Sequence, residues 1–393
     1  MTIAGLVLAT SLSLSLTPRV PVRVVRHARL PVWPAWQGLV LGVMSQVPAL
    51  RGAADLLEDK FGGRVCPMML DNDECDPFVL LVHHRHAFRP FDVFRPLFSS
   101  IIMPEGFPAH PHRGFETMTY VLPGRAGLVH RDSLGCKQAY GDGSVQWMTA
   151  GRGMLHEEMW DTASGNTECE LYQLWVNLPP DAKMVPPRCQ LLTPEGAPHA
   201  ATVEREGRLS AVRRAEIPAL VSQDGAVTVR LLAGDADGAA GAAETFSPIL
   251  LAHVELRGGE GTTHELHVPD GWTCFAYVRR GAVDFGGGEG EGVGDSATAS
   301  ARAGTYETAY FGRRGGDALR IRALTAEADV MVFAGEPIGA PVVASGTMVM
   351  NSQQQVDQAV RDYQSGGFGV PWDHTLDDEQ WQRHTGSGAG ASR

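Results

Sequence analysis

The segment "TMTYVLPGRAGLVH" (residues 117–130) decides the fold class. Two runs rich in Thr, Tyr, Val and Leu flank "PGRAG", whose Pro and Gly residues favour chain reversal. The pattern therefore predicts a strand, a turn and a return strand. The same unit returns as "TCFAYVRRGAVDF" (273–285). Around both lie further short apolar runs cut by Gly, Pro, Asn and Asp: "PFVLLV" (77–82), "LYQLWVNL" (171–178), "VTVRLLAG" (227–234), "ILLAHVEL" (249–256), "ALRIRAL" (318–324) and "VMVFAG" (330–335). Many short strands in succession make an all-β protein of sandwiches or barrels. Two strand-rich blocks, about 76–180 and 226–336, are joined by a stretch beginning "PPDAKMVPPRC" (179–189), so the chain reads as a duplicated barrel.

Length and composition agree with two cores. A chain of 393 residues exceeds the usual single-domain size, and 44% hydrophobic with 20% charged residues is a globular balance. The net charge of -12, without a basic cluster in the body of the chain, argues against direct nucleic-acid binding and against an anionic membrane surface. Six scattered cysteines lack both CxxC pairs and the density of a disulfide-stapled domain, so they read as reduced thiols.

The first residues differ from the rest. Arg19, Arg23, Arg26, Arg29 and Arg51 precede the first acidic residue, Asp55, and "TSLSLSLT" (10–17) is hydroxyl-rich. That composition resembles an organelle transit peptide, for chloroplast or mitochondrion, over residues 1–60; without it the expected compartment is cytoplasm or nucleus. At the other end, "SQQQVDQAVRDYQSGGFG" (352–369) places Val356, Val360 and Tyr363 at helical spacing, with Gly366 and Gly367 as a stop. One helix is expected there, followed by a disordered "HTGSGAGASR" (384–393). The Gly-rich acidic stretch at 286–304 reads as a flexible surface loop. "HHRH" (83–86) reads as a solvated loop within an insertion at about 82–103.

Chemistry concentrates in two segments. In "HPHRGFETMTY" (110–120) strand alternation points His110 and His112 the same way. In "QWMTAGRGMLHEEMW" (146–160) it gives His156 and Glu158 one face and Glu157 the other. Three neutral imidazole nitrogens and a carboxylate suit a divalent first-row metal, with iron(II), manganese, nickel, copper and zinc all admissible. Glu116 is the rival carboxylate, because counting along the strand gives it the parity of His112. Phe107, Phe115, Trp147 and Met148 are candidates for the pocket wall, with core packing as the alternative for each, and His130 for the pocket mouth or a hydrogen-bonded turn.

"FPAHPHRGFETMTYVLPG" (107–124), "QWMTAGRGMLHEEM" (146–159), "LWVNL" (174–178) and "MVMN" (348–351) together resemble the pirin family of the cupin superfamily. The resemblance covers most of residues 76–370. It implies a bicupin, two antiparallel jelly-roll β-barrels face to face with a short C-terminal helix. The implied division is a metal-binding barrel over 61–185, a linker over 186–225, a second barrel without metal over 226–345, and a helix and tail over 346–393. It implies metal ligands His110, His112, His156 and Glu158, with Fe(2+) as the usual metal and Glu116 left a supporting or pocket role. In the second block, His253, His264 and His267 lack the matching pattern. The resemblance implies a quercetinase-type dioxygenase that cleaves flavonols with O2, Glu158 accepting the substrate proton. Its alternative is an iron-dependent redox-sensing protein that acts as a transcription co-regulator through a regulatory partner. A monomer is the default, since two barrels already cover each other's inner faces.

Overall fold

The computed structural model describes residues 16–19, 21–27, 36–61, 64–87, 106–161, 168–197, 202–203, 212–286 and 301–387. The first barrel has a seven-stranded sheet in the order Arg213–Ile217, Arg188–Pro194, Val145–Thr149, Phe115–Val121, Glu168–Asn177, Phe78–Ala87 and Arg64–Met69. Facing it is a five-stranded sheet in the order Thr202–Val203, Lys137–Tyr140, Leu128–Asp132, Met154–Trp160 and Gly106–His112. Neighbours pair antiparallel except Arg188–Pro194 with Arg213–Ile217, which run parallel. The second barrel repeats the plan. Its larger sheet orders Pro21–Arg26, Glu307–Phe311, Thr273–Arg280, Ala328–Gly335, Ile249–Leu256, Val227–Ala233 and Ala219–Val221. Its smaller sheet orders Thr263–His267, Ala318–Ala323, Ala282–Phe285 and Ala301–Gly304.

The two larger sheets pack face to face, and strand alternation decides what meets there. From Phe115–Val121, Met118 and Tyr120 face the second barrel, while Thr119 and Val121 turn into the first. Trp147, Tyr172 and Leu174 join Met118 and Tyr120 against Leu251, Phe275, Tyr277, Met331 and Phe333. Phe275 and Phe333 stack with centroids 4.9 Å apart, and Phe78 meets Phe275 edge-on at 5.5 Å. Burying each such side chain is worth about 1.5–3 kcal/mol, so this layer holds the barrels together.

A polar chain threads the rim of that layer. Tyr277 OH lies 2.9 Å from His83 Nδ1, and His83 Nε2 lies 3.1 Å from Glu170 Oε1. Arg279 spans to both Glu170 oxygens, at 3.4 and 3.3 Å, and to Asp329. Asp329 Oδ1 lies 3.0 Å from His253 Nε2, and Tyr120 OH lies 2.8 Å from His253 Nδ1. The chain crosses the interface at both ends and at its centre.

Several expectations about organisation are corrected. Residues 1–60 are not leader throughout: Pro21–Arg26 is an edge strand of the second barrel, paired with Glu307–Phe311. Arg19 is buried and donates to the carbonyls of Trp272, Gly312, Val268 and Pro269, while Arg23 pairs with Glu74 and covers the Tyr310 ring. The basic residues are there because an edge strand tolerates charge, which blunts pairing with other chains. Helices Trp36–Gln46 and Arg51–Phe61 follow. The supposed linker at 186–225 supplies three strands to the first barrel, Arg188–Pro194, Thr202–Val203 and Arg213–Ile217, and one, Ala219–Val221, to the second. "HHRH" is the end of strand Phe78–Ala87, with His83, His84 and His86 all buried. Of the 286–304 stretch, Ala301–Gly304 is a strand, and 287–300 lie outside the described residues.

The C-terminal helix forms over Gln353–Gln364, capped by Ser352 and buried on Val356 and Ala359. A second helix, Asp378–Ser387, replaces the first part of the expected tail; residues 388–393 lie outside the described residues. Its signal was present. Gln380 N donates to Asp377 Oδ1 and Asp377 N to Gln380 Oε1, a reciprocal cap of the D-x-x-Q kind. It buries Trp381 beside Arg131 of the first barrel.

The N-terminal strand can be tested directly. Relative to a chain that begins at Leu16, one that begins at His27 should lose on the order of 3–5 kcal/mol, counting about 1 kcal/mol for each hydrogen bond left unmade. Urea unfolding would read the difference; equal midpoints would mean that this strand is not part of the fold.

Candidate metal centre

His110 and His112 lie on Gly106–His112, the outermost strand of the five-stranded sheet, where Pro111 is tolerated because one side of the strand needs no partner. His156 lies opposite His110 on the neighbouring strand. The ligating nitrogens of these three histidines fall within 4.8 Å of one another, and His110 Nε2 lies 3.1 Å from His156 Nε2. Ring centroids are 4.5 to 4.7 Å apart.

Burial pushes the basicity of all three down: His110 is lowered, and His112 and His156 are held well below the usual histidine range, His156 also by the neighbouring imidazoles. Neutral rings present lone pairs, the form that a cation needs. His110 Nδ1 lies 2.8 Å from the Pro108 carbonyl, so that nitrogen carries the proton and Nε2 is the free acceptor. His156 Nε2, 3.1 Å away, either donates its own proton to that lone pair or, as an acceptor too, shares a cation with it. Two donors each about 2.1 Å from one cation, at close to a right angle, would sit about 3 Å apart, so the donor set fits a metal.

Glu158 follows His156 on the same face but stands outside that close group. Its Oε1 accepts from Tyr140 OH (2.5 Å) and Thr119 Oγ1 (3.0 Å), and its Oε2 accepts from Gln173 Nε2 (2.8 Å). Its charge still reaches His110. The structure thus assembles three of the four expected ligands at close range and braces the fourth nearby.

Glu116 departs from the expected parity. Between His112 and Phe115 the chain turns at Gly114 (φ 85°), where a side chain would meet the Val349 carbonyl at 2.1 Å, and the alternation starts afresh. Glu116 therefore faces the second barrel, accepting from Thr149 Oγ1 at 2.6 Å, and burial pushes its carboxyl up. Lys183 fixes that turn, donating to the carbonyls of Gly114 and Val349. Glu116→Gln should leave metal content at the wild-type level by elemental analysis; loss of the metal would return Glu116 to the ligand set.

Other pocket candidates divide. Trp147 is also turned to the inter-barrel core. Met148 faces inward with Ala150, Met154 and Cys189. Phe115 lies 5.1 Å from the His112 ring and 4.5 Å from Trp175. Phe107 packs on His84 and Trp160 and pairs across from Glu158. His130 is fully buried behind His156, not at a pocket mouth. Sequence reasoning missed Gln173, Trp175, Thr119 and Tyr140, although Gln173 and Trp175 have the i, i+2 spacing of one strand face. Trp175 is half-buried, 5.7 Å from the His112 ring.

In the second barrel His253, Glu255 and Asp329 also cluster, on the inter-barrel side. Arg279 takes Asp329, and Arg230 and Arg257 take Glu255, so those carboxylates already have cations. His264 lies 3.6 Å from Asp237.

Two β-barrels with inter-barrel packing and three imidazoles converging in the first define a bicupin with a metal-type centre. Residues 63–176 match the family model "Pirin", and 252–369 match "Pirin C-terminal cupin domain". The chain belongs to the pirin family. Pirin-1 of Arabidopsis thaliana is 34% identical over 302 residues, 76% of this chain and 86% of that protein. Human Pirin is 33% identical over 267 residues, 68% and 79% of the two chains. A solved quercetin 2,3-dioxygenase of Acinetobacter baumannii aligns with a TM-score of 0.59 at 29% identity, covering 78% of this chain and 92% of its own. Among the described residues no helix is long and apolar enough to cross a membrane.

Proposed function

We propose that this chain is a dioxygenase that uses a divalent metal, iron(II), to cleave a flavonol-like aromatic substrate with O2. The observation that carries the proposal is the convergence of three neutral imidazoles, with ring nitrogens within 4.8 Å of one another and His112 Nδ1 buried without a hydrogen-bond partner among the described residues. The likeness to a solved quercetin 2,3-dioxygenase supports the substrate class. When bound, the metal would supply a Lewis acid for a substrate hydroxyl and an electron path to O2.

The remaining roles fall to this chain's own side chains. Glu158 is the fourth donor and the proton acceptor for the substrate hydroxyl. Tyr140 and Thr119 hold its Oε1, so Oε2, with Gln173 as its one donor among the described residues, keeps a lone pair for either task. Trp175, half-buried beside His112, offers an aromatic face for a planar ring. His110, Gln173 and Trp175 are the partly exposed edge of the centre and mark the approach for substrate.

The test uses the full chain, loaded with iron(II) under anaerobic conditions, then given quercetin and oxygen. Flavonol absorbance should fall with one carbon monoxide released per flavonol lost. No turnover with iron fully bound would reject the enzyme and favour a redox-sensing binding protein. We further propose that the residues that precede Thr17 direct the chain to an organelle.

A further inference from the structure

We propose that His130 and Asp132 form an anchoring chain that fixes the ring tautomer of His156 and so sets how tightly the centre holds its cation. This rests on the reading that His110, His112 and His156 bind a metal. Strand Leu128–Asp132 lies beside Met154–Trp160, with Asp132 opposite His156 and His130 opposite Glu158. His130, Asp132 and His156 are all fully buried, so their protons go to protein partners and not to bulk water.

The placement follows stepwise. A neutral imidazole has one N–H and one lone pair. If His156 Nε2, 3.1 Å from His110 Nε2, gives its lone pair to a cation, its proton sits on Nδ1. That nitrogen faces His130 Nδ1 at 3.4 Å, which must accept. The proton of His130 is then on Nε2, and Nε2 faces Asp132 Oδ2 at 3.1 Å, a carboxylate oxygen able to receive it. Asp132 cannot turn away, because its Oδ1 accepts the backbone N–H groups of Leu134 (2.8 Å) and Cys136 (3.0 Å). One proton assignment satisfies every contact in the row. A carboxylate behind a histidine behind a ligand raises the ligand's donor strength and locks its ring.

The same residues suggest a rival. Cys189 Sγ lies 3.6 Å from Asp132 Oδ2 and 3.9 Å from His130 Nε2, and the three could hold a cation of their own. Such a cation would take His130 Nε2 and move the ring proton to Nδ1. There it would meet the Nδ1 proton of His156 head-on. Full occupation of the first centre therefore excludes the second, and His130 and Asp132 are positioning residues.

The probe is zinc(II) alone, titrated into metal-free full-length chain against a fluorescent chelator. Wild type should bind one zinc, and His130→Phe should bind it about 10–100-fold more weakly. Asp132→Asn should weaken it in the same direction. Melting of the metal-free proteins controls for folding; if His130→Phe does not fold, Asp132→Asn and the wild-type spectrum decide. In nitrogen-15 spectra of zinc-loaded wild type, His156 should carry its proton on Nδ1 and His130 on Nε2. A proton on Nδ1 of His130, affinity unchanged within twofold in both variants, or a second zinc held by a Cys189 thiolate would each overturn the proposal. Wild type that binds no zinc at His110, His112 and His156 would overturn the metal reading itself, an outcome separate from unaffected variants.

Discussion

His156→Ala should purify without metal. The wild-type chain, loaded with iron(II) and dialysed, is expected to keep about one metal per chain; the variant should keep almost none, an affinity loss of at least ~100-fold, beyond that of outer-contact changes. The reason is geometric. His110 and His112 share one strand, and His156 is the nitrogen that closes the set from its neighbour. Removing it leaves two donors and a void in a fully buried place. Elemental analysis reads the result, with circular dichroism to confirm the fold. Unchanged iron would mean that the cation sits elsewhere and that the convergence of the three rings has another cause.

Arg279→Met should be the most destabilising change at the junction of the barrels. It removes the cation that Glu170 of the first barrel and Asp329 of the second share, leaving two buried carboxylates facing each other across the interface. Breaking a buried pair in this way costs about 3–5 kcal/mol. Denaturant unfolding should show the loss, and Arg279→Lys should recover little of it because one ammonium cannot span two carboxylates as a guanidinium does. The pH dependence has a definite sign. Burial alone would raise Glu170, but the His83 hydrogen bond and the charges of Arg279, His83 and Arg85 overcome it and hold the carboxyl at about 2. A depressed carboxyl stabilises the fold above its unfolded pKa, about 4.3, and loses that contribution as pH falls towards 2. The variant should lose less stability than wild type over this acid range; equal slopes would remove Arg279 from the account.

How much of this was legible depends on how local each feature is. The alternation in "TMTYVL" and the spacings of His110 with His112 and of His156 with Glu158 are properties of single strands, and they were readable. Glu116 was misplaced because strand parity was carried through Gly114, whose positive φ resets it. The glycine in "HRGF" was the available warning. "HHRH" reads as a solvated loop because it lies in an apparent insertion relative to the pirin family, yet this strand is covered on both faces. His83 is satisfied by Tyr277 and Glu170, partners 194 and 87 residues away that no local pattern announces. "PVRVVR" misleads for a related reason: an edge strand with arginines has the composition of a leader, and its partner strand, Glu307–Phe311, lies far along the chain. For Trp147 the sequence leaves pocket wall and core packing both open, and only the pairing of whole sheets shows that it faces the second barrel.

That distant pairing imposes a wait during synthesis. Pro21–Arg26 leaves the ribosome long before Glu307–Phe311 exists, and at ~5–20 residues per second the gap lasts roughly 15 to 60 s. Through that interval the first-made strand has no sheet, and Arg19 has none of its four carbonyls. The second barrel is completed by joining one of its late-made strands to an early one, so the two must stay within reach while everything between them folds.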